Sequence, residues 1–305
     1  MQLGGMAVKF RLFDVMVDSV LGYGAEVWAP EILCTDPLTN DCERVHLFAL
    51  KWMFGVRKST ASCVVLAEAG RWPLALRWVK RLTKFYNGLV KAQGNSMLKH
   101  AIKANCQLTA DPADGSSPFA AKQSWAAQLQ RAFAQFGVEI PLDEPRELNV
   151  GVVCNIWRAW YLNRVRSETG TKIKYYVDVV RNGLPDSEYS AAACLEIRDF
   201  RRRQRLIQLR TGSHWLMEEI GRWHRLEREL RLCKQCAERE EENIETVEHM
   251  IFNCPSYNAI RADFSCLDFT MTDLYEFLLQ PATQLGSFAK KCCHQHRELN
   301  PPPQR

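Results

Sequence analysis

Four residues in the last quarter of this 305-residue chain have the spacing of a tetrahedral metal site. The pattern is C-x2-C-x12-H-x4-C, formed by Cys233, Cys236, His249 and Cys254. A tight C-x2-C turn and a His/Cys pair about one helical turn apart together supply the four donors of a structural zinc ion. Four protein ligands leave no open position for water, so we expect a structural Zn²⁺ without a catalytic role. The alternative is that these are four unconnected core residues.

The composition is that of an ordinary globular protein with a modest positive charge. Hydrophobic residues make up 47% of the chain, charged residues make up 25%, and the formal net charge is +5. This charge permits an anionic partner but does not require one, because its distribution matters more than its sum. No apolar run approaches the roughly 18–20 residues that span a bilayer, so we expect no membrane partner.

The N-terminal residues and the cysteines favour an intracellular protein, in the nucleus or the cytoplasm. The first six residues lack the charged-then-apolar layout of a secretory signal. Twelve cysteines in a long chain without such a signal are better explained as reduced thiols than as a disulfide framework. No Gly-rich phosphate loop and no G-x-S-x-G motif is present, so we expect no small-molecule substrate.

Apolar residues recur at helical spacing in nearly every periodic segment, which predicts a mainly α fold, an irregular helical bundle with a small C-terminal CCHC-type zinc module. The predicted helices cover 10–21, 44–54, 60–68, 73–90, 122–136, 147–166, 187–210, 274–279 and 285–296. Ser59 or Thr60 is the predicted N-cap of the third helix. The first two helices carry apolar stripes, formed by Phe13, Met16, Val17, Val20 and Leu21 and by Val45, Phe48, Ala49, Trp52 and Met53.

Arginines concentrate just before the Cys/His pattern and are candidates for phosphate contacts. They are Arg198, Arg201, Arg202, Arg203, Arg205, Arg210, Arg222 and Arg225. Interleaved aromatic residues could stack on unpaired bases, namely His214, Trp215, Trp223 and His224. The alternative is a solvated helix face on which arginines pair with nearby glutamates, with both tryptophans in the core. The basic helix at 73–90 is a weaker case of the same pattern.

A second Cys/His cluster lies close to the C-terminal end of the sequence. Its members are Cys292, Cys293, His294 and His296. Neighbouring side chains on a helix point about 100° apart and do not easily share one ion. We therefore expect this cluster to bind no metal.

Several runs in their order along the chain resemble the C-terminal part of LINE-type (non-LTR) retrotransposon reverse transcriptases. The C-terminal runs are Leu206–Gly212, Gly221-Arg222-Trp223, Leu232–Cys236, Glu245–His249 and Cys254-Pro255. The N-terminal runs are Leu21–Trp28, Arg44–Leu47, Gly55–Thr60 and Ala67–Leu74. The resemblance spans about residues 10–296 and is weakest between 111 and 150.

The resemblance implies a helical thumb that follows the polymerase palm, then a linker and a zinc knuckle, which together hold template RNA and target DNA. The chain departs from the family in the catalytic motif, because it contains no Asp-Asp pair to bind two divalent ions. The sequence Tyr176-Val177-Asp178-Val179 has valine at the second position, and we interpret Asp178 as a solvated helix residue. We therefore expect a truncated, noncatalytic fragment that binds RNA or DNA.

Pro- and Gly-rich sequence and the resemblance together divide the chain into five segments. They are a thumb-like region at 1–110, a linker at 111–121, a helical connector at 122–196, the basic helix and zinc module at 197–265, and C-terminal helices with a disordered tail at 266–305. Two other functions remain open. The chain could be a zinc-stabilised protein-interaction module that docks on an acidic partner, or the tail of an active polymerase.

Overall fold

Helices supply nearly all the regular structure of the protein. The computed structural model describes residues 5–92, 96–110, 124–142, 144–181, 191–239 and 241–301. Within these ranges no β-strand forms, and an isolated antiparallel bridge pairs Leu232 with Ile244. The predicted mainly α class is therefore confirmed. The predicted linker at 111–121 and the end of the predicted tail lie outside the described residues.

The α-helices of the described residues are numbered in chain order. They are α1 (Met6–Leu12), α2 (Ala25–Thr35), α3 (Asp41–Phe54), α4 (Ser62–Ala69), α5 (Leu74–Lys91), α6 (Ser96–Ala110), α7 (Trp125–Ala134), α8 (Val150–Ser167), α9 (Thr171–Lys174), α10 (Phe200–Arg210), α11 (Met217–Trp223), α12 (Lys234–Ala237), α13 (Asn258–Asp263), α14 (Leu274–Leu278) and α15 (Ala282–Leu299). Helix α1 continues through a π-helical turn (Phe13–Asp18) into Ser19–Leu21, and α9 continues through another (Tyr175–Val180).

Local capping signals explain why several helices begin and end near the predicted residues. The side chains of Asn40, Ser124 and Asn149 each accept a hydrogen bond from a backbone N–H in the first turn of α3, α7 and α8. Gly55 and Gly70 follow α3 and α4 with φ of 65° and 64°. This left-handed conformation is easily adopted by glycine, which has no Cβ.

Two predicted helix starts are wrong. The predicted helix at 187–210 begins only at Phe200, because the Asp199 carboxylate caps the backbone N–H of Arg202 at 2.7 Å. The residues before it form a separate 3-10 turn (Ala193–Glu196), and 187–190 lie outside the described residues. Helix α4 begins at Ser62 after Ala61, so neither Ser59 nor Thr60 is its cap.

Helix α2 was not predicted, because Pro30 lies inside it and proline ordinarily interrupts a helix. Proline has no backbone N–H, so the carbonyl of Glu26, four residues earlier, loses its helical donor. The indole Nε1 of Trp125 in α7 donates to this carbonyl oxygen at 2.9 Å. A residue 99 positions away thus satisfies the group that Pro30 leaves unpaired. Helices α6, α9 and α11 were also not predicted.

The helices pack as an N-terminal bundle joined to a C-terminal pair. In the bundle α2 packs on α5 and α7, α8 packs on α5, and α6 packs on α7, so the predicted connector is in contact with the predicted thumb-like region. In the C-terminal part α10 packs along α15. Gln204 and Gln208 of α10 both donate to the carbonyl oxygen of Gly55, at 3.0 Å and 2.8 Å. No helix of the described residues is long and apolar enough to cross a membrane.

Most residues of the two predicted apolar stripes line an open groove between α3 and the segment formed by α1 and its π-helical turn, but Val20 and Leu21 do not. The groove has a volume of about 1360 Å³. Phe13 and Met53 at its base are buried, whereas Met16, Phe48 and Trp52 are exposed. The stripes therefore form largely as predicted, but part of their apolar surface faces solvent.

A buried carboxylate joins the bundle to the C-terminal part. Glu68 of α4 is fully buried and accepts two hydrogen bonds from Arg210 of α10, at 2.8 Å and 2.9 Å. Tyr176 Oη donates to the same carboxylate at 2.8 Å, and Arg181 Nη2 lies 3.7 Å from it. Burial by itself raises the pKa of Glu68, but Arg210 and Arg181 outweigh it, and the net pKa is lowered from the ordinary value of 4.5.

We expect Glu68→Gln to lower the free energy of unfolding by about 3–5 kcal/mol, because it leaves Arg210 buried without its counter-ion. Denaturant unfolding measures this difference. A folded-state pKa below the unfolded value stabilises the protein above about pH 4.5, and this stabilisation is lost as the pH falls through the lowered pKa. The difference in unfolding free energy between wild type and Glu68→Gln should therefore become smaller in acid.

The matched control is Asp41→Ala, which breaks the ion pair of Asp41 with Arg44 on the surface of α3. Both side chains are largely exposed, so the expected change is about 0–1 kcal/mol. An equal loss of stability in both variants would contradict the role given to Glu68.

Candidate metal centre

The four residues of the C-x2-C-x12-H-x4-C pattern meet in one buried cluster. One ligand atom from each of Cys233, Cys236, His249 and Cys254 lies within 4.8 Å of the other three. Cys254 Sγ is 3.8 Å from Cys233 Sγ and 4.0 Å from Cys236 Sγ, and Cys236 Sγ is 3.4 Å from His249 Nε2. All four side chains are buried. The group could therefore hold a metal ion.

These separations fit a tetrahedral ion. Metal–sulfur bonds of about 2.3 Å at tetrahedral angles place two sulfurs about 3.8 Å apart, and a sulfur and a nitrogen about 3.5 Å apart. The observed distances differ from these values by a few tenths of an ångström at most. The donor set closes all four positions of the tetrahedron, which is typical of a structural site.

The first two ligands lie on a loop that a short antiparallel contact closes. Cys233 N donates to Asn243 O at 2.7 Å, beside the bridge between Leu232 and Ile244. On the loop that these contacts close, Cys233 immediately precedes α12, and Cys236 lies within this helix. The helical turn directs the two sulfurs into the same side of the loop.

The other two ligands are held by a capped π-helical turn (His249–Asn253). Thr246 Oγ1 accepts from His249 N at 3.0 Å and so caps the helical turn that begins at residue 247. Cys254 N donates to His249 O at 2.7 Å, and Cys254 itself is extended with ψ of 119°, as expected before Pro255. Arg261 donates to the carbonyl oxygen of Cys254 at 2.6 Å and braces this turn.

Hydrogen bonds at the cluster favour a thiolate at Cys254. A hydrogen bond from Cys233, with further contributions from His249 and the backbone N–H of Ser256, lowers the pKa of Cys254 to about 3. The same hydrogen bond raises the pKa of Cys233. A thiolate is the form of cysteine that binds metal, so Cys254 is the ligand already favoured in that form, whereas burial raises the pKa of Cys236.

The comparisons with known proteins identify no relative. No protein-family model matches the chain, and neither a curated protein nor a solved structure matches it.

The second Cys/His cluster is not assembled as a metal site. Among the described residues, only the cluster at Cys233 brings three or more potential ligands together. Cys292 and Cys293 are buried in α15, whereas His294 is exposed. His296 Nε2 lies 3.1 Å from Glu245 Oε1 instead.

Three of the eight predicted phosphate-binding arginines are engaged by other groups of the protein through hydrogen bonds. Arg210 is bound to Glu68, and Arg203 is buried and donates to the carbonyl oxygen of Ile197. Arg205 donates to Gln208 Oε1 at 2.7 Å, and its guanidinium lies 5.7 Å from the ring centroid of Trp215. We exclude these three arginines from the candidate nucleic-acid surface.

The other five arginines are more accessible, although Arg198 precedes α10 and does not lie on it. Arg198, Arg201 and Arg225 are exposed, and Arg202 and Arg222 are half-buried. In the weaker basic helix, now α5, the surroundings favour a structural role. Arg77 of α5 pairs with Asp14 and Asp18, and Arg71, just before the helix, also pairs with Asp14.

The interleaved aromatic residues have different environments. Trp215 is buried, as the core alternative predicts, whereas Trp223 is 52% exposed. His214 is buried, and burial, followed by nearby Lys172, lowers its pKa to about 3, so it is neutral near pH 7. His224 is exposed. Of the four, Trp223 and His224 are accessible to a ligand.

Sequence reasoning assigned no role to Glu245, although it lies in one of the runs that carry the family resemblance. Its Oε2 accepts from Met217 N at 2.7 Å, and its backbone oxygen accepts from Glu218 N at 3.2 Å. These are two of the N–H groups that the start of α11 leaves without helical partners. Because Glu245 lies between Cys236 and His249, the metal loop positions α11.

We expect Cys236→Ser to reduce bound metal from one ion per chain to a small fraction, because one thiolate of a closed tetrahedron is lost. Elemental analysis of the purified protein after dialysis measures this content. The control is Cys266→Ser, since Cys266 is exposed and lies outside the cluster. Equal metal content in both variants would rule out the site.

Proposed function

We propose that this chain is a noncatalytic nucleic-acid-binding fragment of a LINE-type reverse transcriptase. A structural zinc ion on Cys233, Cys236, His249 and Cys254 organises a basic region that holds RNA or single-stranded DNA. The observation that carries the proposal is the contact of the metal loop with α11, through Glu245. This contact connects the candidate metal ligands to a helix that ends in arginine and tryptophan side chains.

Zinc is the metal that the donor set favours. Three thiolates and one imidazole in a tetrahedral arrangement are typical of structural Zn²⁺, whereas magnesium and calcium prefer oxygen ligands. Binding of structural zinc contributes about 10–16 kcal/mol of apparent free energy in small zinc modules. Zinc would therefore stabilise the loop that holds α11.

Elemental analysis should find zinc as the bound metal, at one ion per chain. Removal with a chelator should then unfold the loop and release α11, because the binding free energy is part of the folding free energy. Hydrogen exchange of residues 231–257 measures this loss of structure. Unchanged protection after complete removal of the metal would contradict a stabilising role.

The accessible arginines support binding to phosphates. They form one group before and in the first turn of α10, with Arg198, Arg201 and Arg202, and a second group at Arg222 and Arg225. A guanidinium binds phosphate through a planar fork of N–H donors. With no Asp-Asp pair in the sequence, and with Asp178 exposed on a helical turn, the polymerase reaction is not part of the proposal.

Contacts between the runs that carry the family resemblance also support the proposal. Glu68 of the run at 67–74 binds Arg210 of the run at 206–212. The carbonyl of Gly55, in the run at 55–60, accepts from Gln208 of the same C-terminal run. Long-range contacts therefore join these separate runs within one fold.

We expect binding to a single-stranded oligonucleotide to weaken steeply with salt. Five neutralised phosphates correspond to a slope of about −3.5 in a plot of log K against log salt concentration, because each contributes about −0.7 on a single strand. The double variant Arg198→Ala/Arg201→Ala should reduce the slope by about 1.4. Fluorescence anisotropy at several salt concentrations measures it.

The matched control is Arg44→Ala, which removes one exposed arginine that pairs with Asp41 on α3 and should leave the slope unchanged. Binding of equal strength at low and high salt would contradict the proposal.

A zinc-stabilised protein-interaction module is the second candidate, and the apolar groove between α1 and α3 favours it. Exposed apolar side chains such as Met16, Phe48 and Trp52 are typical of a surface that a protein partner covers. A zinc-loaded protein that retains no oligonucleotide at low salt would favour this function.

A further inference from the structure

We propose that Trp223 and Arg57 form a platform on which one unpaired nucleobase stacks, while neighbouring cations contact its phosphate. This inference rests on the proposed nucleic-acid function and assigns a particular contact within it. The two residues are far apart in the sequence, since Arg57 follows α3 and Trp223 ends α11. The site exists only because the two parts of the chain pack together.

The indole ring of Trp223 is exposed but fixed in position. The guanidinium carbon of Arg57 lies 3.5 Å from the ring centroid, which corresponds to stacking on one face. The indole Nε1 donates to Glu219 Oε1 at 3.2 Å. With 52% of the residue still exposed, a large part of its surface remains accessible to a ligand. Such a ring is ordered before a ligand arrives.

The charge around the platform is positive. Glu219 is 2% exposed, and three cations surround its carboxylate. Lys172 is in direct contact with it, Arg57 Nη1 lies 3.7 Å from Oε1, and Arg222 Nη1 lies 3.9 Å from Oε2. Glu219 and Glu218, which also interacts with Arg222, do not neutralise these three cations completely, so at least one positive charge remains beside the ring. An anionic ligand would balance this charge.

The backbone on both sides holds the platform in place. Arg57 N donates to Ser213 Oγ at 3.3 Å, which ties the segment after α3 to the turn after α10. Beyond Trp223 the chain turns sharply, with Arg225 at φ of 56° and Leu226 N donating to Gly221 O at 2.9 Å. Glu245 fixes the other end of α11. Little ordering would therefore be needed on binding.

A flat ring with adjacent positive charge matches a nucleotide unit of a single strand. Stacking uses the face that every base presents, so the platform should accept any base without sequence preference. A paired base in a duplex has both faces covered by its neighbours and does not fit. The ligand class is therefore an unpaired nucleotide in RNA or single-stranded DNA.

The test compares two ligands on two proteins. The ligands are an oligothymidylate of about twelve nucleotides and an abasic strand of the same length, and the proteins are wild type and Trp223→Leu. Wild type should bind the oligothymidylate about fivefold or more tightly than the abasic strand, from the stacking of one base. In Trp223→Leu this preference should disappear while the salt dependence remains.

The control variant is Trp52→Leu, because Trp52 is 68% exposed and lies in the apolar groove away from the platform. It should keep the preference of wild type. Photocrosslinking of a 5-iodouracil strand to the wild-type protein supplies a second measurement that does not depend on the folding of a variant. Mass spectrometry should locate the crosslink at Trp223.

The outcomes separate this inference from the proposed function. Salt-dependent binding with the same base preference in Trp223→Leu, or a crosslink confined to other residues, would overturn the platform and leave the proposed function standing. Failure of wild type to bind either strand at 50 mM salt would overturn both. Tight binding of free uridine monophosphate, with no gain from a longer strand, would assign the site to a free nucleotide and overturn its role in strand binding.

Discussion

The burial of one carboxylate constrains the arrangement of the two parts of the molecule. Glu68 has no access to water, so its charge must be balanced by protein groups, and Arg210, Arg181 and Tyr176 supply them. These partners come from α10 and from the π-helical turn after α9, so α4 cannot be buried unless both segments are in place. The same requirement removes Arg210 from any surface that could meet nucleic acid.

The metal loop applies a second constraint, on the segment that follows the C-terminal end of α10. Its four ligand atoms lie within 4.8 Å of one another, and its Glu245 accepts hydrogen bonds from the start of α11. A metal ion bound in this loop would therefore help to fix the position of α11, and α11 in turn positions Trp223. A cation in the loop would affect α11, which lies outside the metal site, because this helix has only seven residues and little stability of its own.

Buried glutamates divide the arginines of this protein into two classes. Arg210 pairs with the buried carboxylate of Glu68 and is fixed, whereas Arg198 and Arg201 face solvent and keep their charge available. Around Glu219 the cations outnumber the carboxylate, because three of them lie beside it, and a net positive charge remains. A basic sequence thus yields a structural framework and a smaller number of sites at which an anion can bind.

The sequence by itself determined the features that depend on neighbours along the chain. Ligand spacing identified the four metal-binding candidates, and the helical spacing of apolar residues located most of the longer helices, because both patterns involve residues close together along the chain. Tertiary structure decided what depends on distant partners. The helix through Pro30 needs Trp125, the fate of Arg210 needs Glu68, and the stacking of Trp223 needs Arg57. Each of these pairs is separated by more than 90 residues, so no pattern within one helix could reveal it.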